Sequence, residues 1–207
     1  MKRFIYMVVG ILVIGIGVAA FRIASFGVDP FTCMNLGISK FIGMSFGNWQ
    51  LIANFFLLAV VFFTVRNYIG MGTIVNMVGV GYIADFICWL LETQLSLNMN
   101  IALRVGFLVV ALLFLSWGAA MYMTADLGIS PYDAVAFVIE KVSAGKISFG
   151  MGRIFSDITV MTIGILFCIL SKNSIWTVAG IGTIINAGIN GLLIQKFRSI
   201  LENGKNW

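Results

Sequence analysis

Histidine is absent from the 207 residues. That removes Ser-His-Asp and Cys-His catalysis, histidine-ligated metals and histidine proton relays together. Cysteine is scarce. Cys33, Cys88 and Cys168 are far apart, fall in no C-x-x-C and are odd in number, which argues against a disulfide framework or a zinc site. Charge is scarce as well. Only 10% of the residues are charged and 60% are hydrophobic, whereas a soluble domain carries about 25% charged residues. The polar side chains are too few to cover a water-facing surface, so the chain belongs to the membrane class. There is no Walker A loop, and neither glycine-rich turn follows a strand, so the glycines are not nucleotide motifs. The net charge of +5 comes with no basic patch interleaved with aromatics, so no nucleic-acid partner is expected. No metal, no cofactor and no enzymatic activity are expected either.

What is present is written twice. Gly17, Ala24, Gly27 and Pro30 return as Gly118, Ala125, Gly128 and Pro131, at an offset of about 101 residues. Phe21 falls opposite Tyr122 and Phe31 opposite Tyr132. Ser45-Phe46-Gly47 returns as Ser148-Phe149-Gly150, and Gly70-x-Gly72-Thr73-Ile74-x-Asn76 returns as Gly180-x-Gly182-Thr183-Ile184-x-Asn186. The blocks keep their order. A duplicated apolar chain is a known plan for membrane transporters, with the ligand site where the repeats meet.

A spanning helix needs about 20 mainly apolar residues. Six segments meet this requirement, roughly Phe4–Ala24, Asn48–Val65, Ile69–Leu91, Val105–Ala125, Gly152–Leu170 and Ser174–Ile194. The first reads as a retained helix rather than a leader, because its end is repeated inside the chain. Two further segments, Asp29–Gly43 and Ser130–Ala144, are too short to cross unaided. Each opens with a helix-capping residue before a proline at the first helical position, and Ser130-x-x-Asp133 fits a capping box.

Each repeat therefore holds three spans and one re-entrant or interfacial helix. Three is odd, so the second repeat enters the membrane from the opposite side. With the N-terminus in the cytoplasm, the inner side collects Lys2, Arg3, Arg66, Lys141, Lys146, Arg153, Lys196, Arg198 and Lys205. The outer side receives Arg22, Lys40, Arg104 and Lys172. That bias places both termini in the cytoplasm.

The expected fold is an all-α polytopic membrane protein of about six transmembrane helices in two inverted three-span repeats. It forms a single integral domain over 1–207, with repeat 1 about 1–97 and repeat 2 about 98–207.

Three groups of residues could carry function. The turns Gly27-Val28-Asp29-Pro30 and Gly128-Ile129-Ser130-Pro131 aim helix N-termini, which could hold an anion at membrane depth or could simply cap interfacial helices. The neighbouring Asp29, Asp126 and Asp133 would instead suit a cation or a protonatable carboxylate. Gly72 and Gly182 are small enough for close helix packing, and Asn76 and Asn186 either bond the repeats together or line a path. Arg153 and Asp157 lie four apart on one helix face. Their counterparts are Gln50 and Asn54, so that face is polar in both repeats and charged in one. Asp85 interrupts an otherwise apolar stretch.

The G-x-D-P and G-x-S-P turns, the S-F-G before a span and the repeated G-x-G-T-x-x-N resemble the YitT/YczE group of bacterial integral membrane proteins over nearly the whole chain. The resemblance implies an organisation similar to small transporters and implies no catalytic set.

The expectation is thus a small-solute secondary transporter or permease of the cytoplasmic membrane. The alternative is a non-transporting accessory or regulatory protein that binds a partner. The site is expected to comprise Asp29, Asn54, Asn76, Ser130, Asp133, Arg153, Asp157 and Asn186, and the expected partners are the lipid bilayer, a small solute and a second copy or another membrane protein.

Overall fold

The computed structural model describes residues 2–94 and 99–203. The expected boundary between repeats at 97/98 and Lys205 lie outside the described residues. Among those described, every regular element is helical. The helices are α1 (Lys2–Ala24), α2 (Pro30–Ile42), α3 (Phe46–Val65), α4 (Met71–Cys88), α5 (Ile101–Ala125), α6 (Pro131–Val142), α7 (Phe149–Leu170) and α8 (Ile181–Asn203). Short 3-10 turns precede α4 and α8, and α4 runs on into a π-helical turn at Trp89–Gln94.

Five of the described helices, α1, α3, α4, α5 and α7, are long and apolar enough to cross a membrane. The sixth expected span is displaced. Its helix begins at Ile181 rather than Ser174 and runs to Asn203. Its second half carries Asn190, Gln195, Lys196 and Arg198, and it is not among the five. At 13 and 12 residues, α2 and α6 are too short to span.

The starts of the short helices follow from their sequence. Asp29 Oδ1 accepts the Thr32 N–H at 3.0 Å. Ser130 Oγ accepts the Asp133 N–H at 3.1 Å. In both cases proline occupies the first turn, where no N–H is needed.

The centre is the antiparallel pair α1 and α5. A Cβ on Gly10 would stand 2.8 Å from Gly118 O, and one on Gly17 would stand 2.8 Å from Leu115 N. The backbones touch because the side chains are missing, which is how membrane helices gain dispersion contact without a hydrophobic drive. Around this pair, α4 packs on α1 and α8 on α5, while α2 packs on α7 and α3 on α6. The α2–α7 crossing is made through glycines: a Cβ on Gly37 would meet Gly164 O at 2.3 Å. The matched α3–α6 crossing buries Val61 and Val138 instead.

The turns after α1 and α5 clasp the opposite half. Val28 N–H donates to Val178 O at 3.1 Å, and Ile129 N–H donates to Tyr68 O at 3.0 Å. In return, Gly182 N–H donates to Phe26 O and Gly72 N–H to Leu127 O, both at 2.7 Å. Gly27 and Gly128 turn at φ 95° and 104°, a region that side chains rarely occupy. Each also lies against the partner turn, a Cβ falling 2.3 Å from Gly180 N and 2.5 Å from Gly70 N.

Gly43 shares the positive φ, at 70°, but has nothing within 4 Å of its Cβ position. Gly43→Ala is therefore expected to cost about 1 kcal/mol, the conformational penalty alone. Gly128→Ala must also push backbone apart and is expected to cost at least about 3 kcal/mol. Thermal unfolding of the two variants in one detergent checks the order.

Candidate functional site

The starts of α2 and α6 meet head to head. Phe31 and Tyr132, at matched positions, stack with ring centroids 4.4 Å apart and planes 12° off parallel. Everything polar nearby is arranged around this contact. Tyr132 OH donates to Asp157 Oδ1 on α7. Arg153, one turn earlier on α7, lies 4.8 Å from the Tyr132 ring centre. Its guanidinium donates to Asp133 Oδ1 at 2.6 Å and approaches Asp157 Oδ1 at 3.3 Å. The Ser130 hydroxyl donates to Asp133 Oδ2 at 2.7 Å.

Asp29 completes the cluster. Its Oδ2 is buried and has no hydrogen-bond partner. Burial raises its pKa above the ordinary 3.8. The Thr32 hydrogen bonds pull the other way, the Asp157 carboxylate adds to the rise, and Arg153 opposes it.

The structure thus brings together Asp29, Ser130, Asp133, Arg153 and Asp157, with Gly27, Pro30, Gly128 and Pro131 shaping the two turns that present them. The remaining expected residues make no hydrogen bond to this cluster. Asn54 is buried on α3 with Oδ1 unpartnered, on the face that continues through Leu57 to Val61. Asn76 and Asn186 are buried on α4 and α8, one turn beyond Thr73 and Thr183. Those threonines accept the Gly70 and Gly180 N–H groups at 3.0 and 3.2 Å. Neither asparagine is hydrogen-bonded to the cluster, and Asn186 Oδ1 is unpartnered. Gly72 and Gly182 lie against the opposite turn and against α5 together: a Cβ on Gly72 would meet Leu127 O at 3.0 Å and the Tyr122 ring at 3.2 Å, and one on Gly182 would meet Phe26 O at 2.9 Å and Leu108 Cδ1 at 3.0 Å.

Sequence reasoning noted Tyr132 only as the counterpart of Phe31 and left it out of the site. The available signal was the change from Phe31 to Tyr132 at matched positions, a hydroxyl gained in one half only. Phe21 and Tyr122 show the same change, and the Tyr122 OH is buried without a partner. Asp85 was read as isolated. It receives Arg22 at 2.7 Å, a pairing between α1 and α4 that no local spacing reveals.

A cavity of about 180 Å³ adjoins the cluster, bounded by Met34, Leu57, Tyr132, Val135, Phe155 and Ser156 among others. That is room for several waters at about 30 Å³ each. A second cavity, about 350 Å³, opens between Tyr68, Gly70, Asp126 and Gly128.

The model of a family of unknown function, DUF6198, matches residues 1–199, and the chain belongs to that family. It is 26% identical over 202 residues to the uncharacterized protein YyaS of Bacillus subtilis, covering 97% of this chain and 94% of that protein. It is 20% identical over 194 residues to the uncharacterized membrane protein YczE of Bacillus subtilis, covering 93% and 84%. An uncharacterized protein of Haemophilus influenzae is 23% identical over 189 residues, covering 91% and 80%. No solved structure matches. The expected likeness to the YczE group holds, and with five apolar helices it makes this a multi-pass membrane protein.

Two outcomes follow from the cluster. A carboxyl with a raised pKa stabilises the fold below its ordinary value of 3.8, and that stabilisation is lost as pH rises through the folded value. Asp29→Asn keeps the acceptor for Thr32 and removes the titration. Its melting temperature is expected to fall less than that of the parent as pH rises from about 4, in a pH series of thermal unfolding. Arg153→Met strands two carboxylates, Asp133 and Asp157. With its side chain 35% exposed, the expected loss is about 1–3 kcal/mol, less than for a fully buried pair. Arg198→Met, from the exposed pair with Glu202, should lie within experimental error of the parent in the same assay.

Proposed function

We propose that this protein is a secondary transporter or permease for a small solute, with its site at the meeting of the α2 and α6 starts. The observation that carries the reading is the charge of that cluster. Two carboxylates, Asp133 and Asp157, share one guanidinium, with the buried Asp29 carboxyl as a third acid in the cluster, inside a chain with very few charges. Charges are costly in hydrocarbon and persist where they bind or relay something. Two helix N-termini would attract an anion, but Asp29 and Asp133 already occupy them. The residual negative charge suits a cation, a protonated amine or a proton, and Asp29 is the carboxyl best placed to exchange a proton. Such a site binds and releases its ligand without converting it.

In this reading the chain is two inverted repeats, α1–α4 and α5–α8, with α8 as the sixth span. The support is the antiparallel packing of α1 and α5 and the reciprocal bonds of Phe26 with Gly182 and Leu127 with Gly72. The distribution of Lys and Arg favours the cytoplasmic membrane with both termini inside. The alternative, an accessory protein that moves nothing, draws on Asn76 and Asn186, buried amides that make no hydrogen bond to the cluster.

Proteoliposomes loaded with a pH-sensitive dye and challenged with alkali cations, amines and amino acids test the reading. Asp133→Asn and Asp157→Asn are expected to fold and to lose more than about tenfold of uptake, the weight of one charge-assisted contact. Asn76→Ala and Asn186→Ala are expected to retain uptake, and Asn186→Ala, which removes a buried unpartnered acceptor, to stay within about 1 kcal/mol of the parent in stability. Parent protein that moves nothing across the panel would hand the case to the accessory reading.

A further inference from the structure

The inference comes from matched positions that are packed differently, and it rests on the transport reading above. In the first half, the start of α3 is shut against the end of α4. A Cβ on Gly47 would meet Gly81 C at 3.0 Å, and one on Gly81 would meet Gly47 Cα at 2.9 Å. Polar bonds lock the contact. Asp85 Oδ2 accepts the Gly47 N–H at 2.6 Å, and Asp85 Oδ1 accepts Arg22 at 2.7 Å. Tyr82 OH donates to Asn48 Oδ1 at 2.8 Å.

The same register applied to the second half pairs α7 with α8. Gly47 corresponds to Gly150, Gly81 to Gly191, Asn48 to Met151, Tyr82 to Leu192 and Asp85 to Gln195. Here the contact is not made. A Cβ on Gly150 or Gly191 would have nothing within 4 Å. Met151 and Leu192 are 62% and 68% exposed. Beyond Asn186, α8 is held on α5 by the Ser116–Asn190 hydrogen bond at 2.7 Å and the Trp117–Phe197 ring contact. Two glycines at matched register positions of α7 and α8 therefore relieve no crowding. Gly191 lies inside α8, where a glycine costs about 1 kcal/mol relative to alanine, and nothing in this arrangement offsets it.

We propose that the gap is one of two gates, and that in a second conformation α7 closes on α8 through Gly150 and Gly191 while the Arg22–Asp85–Gly47 latch opens. The gate is coupled to the cluster by position. Gly150 lies one turn before Arg153, so a swing of the α7 start shifts the guanidinium against Asp133 and Tyr132. The latched contact carries charge-assisted bonds and its counterpart carries none, so the latched state is the resting one. A ligand shifts the balance only by binding the other state more tightly.

The test uses full-length protein in proteoliposomes, with Cys33, Cys88 and Cys168 replaced by serine. One variant carries Asn48→Cys with Tyr82→Cys, the other Met151→Cys with Leu192→Cys, and both are exposed to a short bifunctional thiol reagent. The first pair is expected to cross-link rapidly. The second is expected to cross-link more slowly, and roughly tenfold faster once Asp85→Asn weakens the latch, with the first pair slowing in step. Gly191→Ile fits the open arrangement without a clash, so it should keep the parent melting temperature and suppress the Met151–Leu192 link. If the second pair never links, or links at a rate indifferent to Asp85→Asn and Gly191→Ile, the gate is refuted. Uptake measured on the same vesicles separates the two ideas. Reciprocal cross-linking without uptake keeps the gate and removes the transport reading, whereas uptake without reciprocal cross-linking does the reverse.

Discussion

The arrangement depends on how two breaks in the helical backbone satisfy their hydrogen bonds. Between α1 and α2, and again between α5 and α6, the chain leaves the helix and exposes N–H and C=O groups. In hydrocarbon an unpaired backbone group costs several kcal/mol, so non-helical backbone survives only where protein or water pairs it. Here each break is paired by the other half. Phe26 and Leu127 carbonyls receive Gly182 and Gly72, and Val28 and Ile129 donate to Val178 and Tyr68. Neither turn can be completed by its own neighbours. The clasp explains why glycine occupies both sides of each contact, since a Cβ at Gly27, Gly70, Gly128 or Gly180 would fall within 2.5 Å of an opposing backbone atom.

The charged cluster is a consequence of that clasp. Turning the chain at Gly27 and Gly128 aims α2 and α6 at each other, and their first side chains, Phe31 and Tyr132, stack. The two halves then diverge in chemistry on a shared backbone plan. Thr32, Gln50 and Asn54 in the first half correspond to Asp133, Arg153 and Asp157 in the second, so the ion pairs of the cluster come from the second half alone. Away from the cluster the divergence runs the other way. Arg22 and Asp85 pair in the first half, where the second has Met123 and Gln195. One scaffold thus carries an ion cluster at its centre and a separate ion pair toward the α4 end.

Much of this was legible in the sequence because the signals are local. An aspartate or serine before proline marks a helix start whatever its surroundings, because the cap needs only the next turn of backbone. The i,i+4 spacing of Arg153 and Asp157 places them on one face by helix geometry alone. Runs of apolar residues identified the long helices by the same logic. The last helix was misplaced because Ser174–Gly180 is apolar enough to extend a span, while the Gly-x-Gly-Thr start lies further on.

Composition and repetition by themselves determined the membrane class, the helical architecture, the two short capped helices and the motifs that recur. Each of those rests on residues within a turn or two of one another, or on simple likeness between distant stretches. Only the tertiary structure decided which turn meets which glycine, that Arg153 reaches Asp133 as well as Asp157, that Arg22 finds Asp85, and that Tyr132 joins the ion cluster. These are contacts between residues separated by 20 to 156 positions. Their formation depends on backbone hydrogen bonds that no segment can make alone, and on glycines whose purpose is visible only when the opposing backbone is in place.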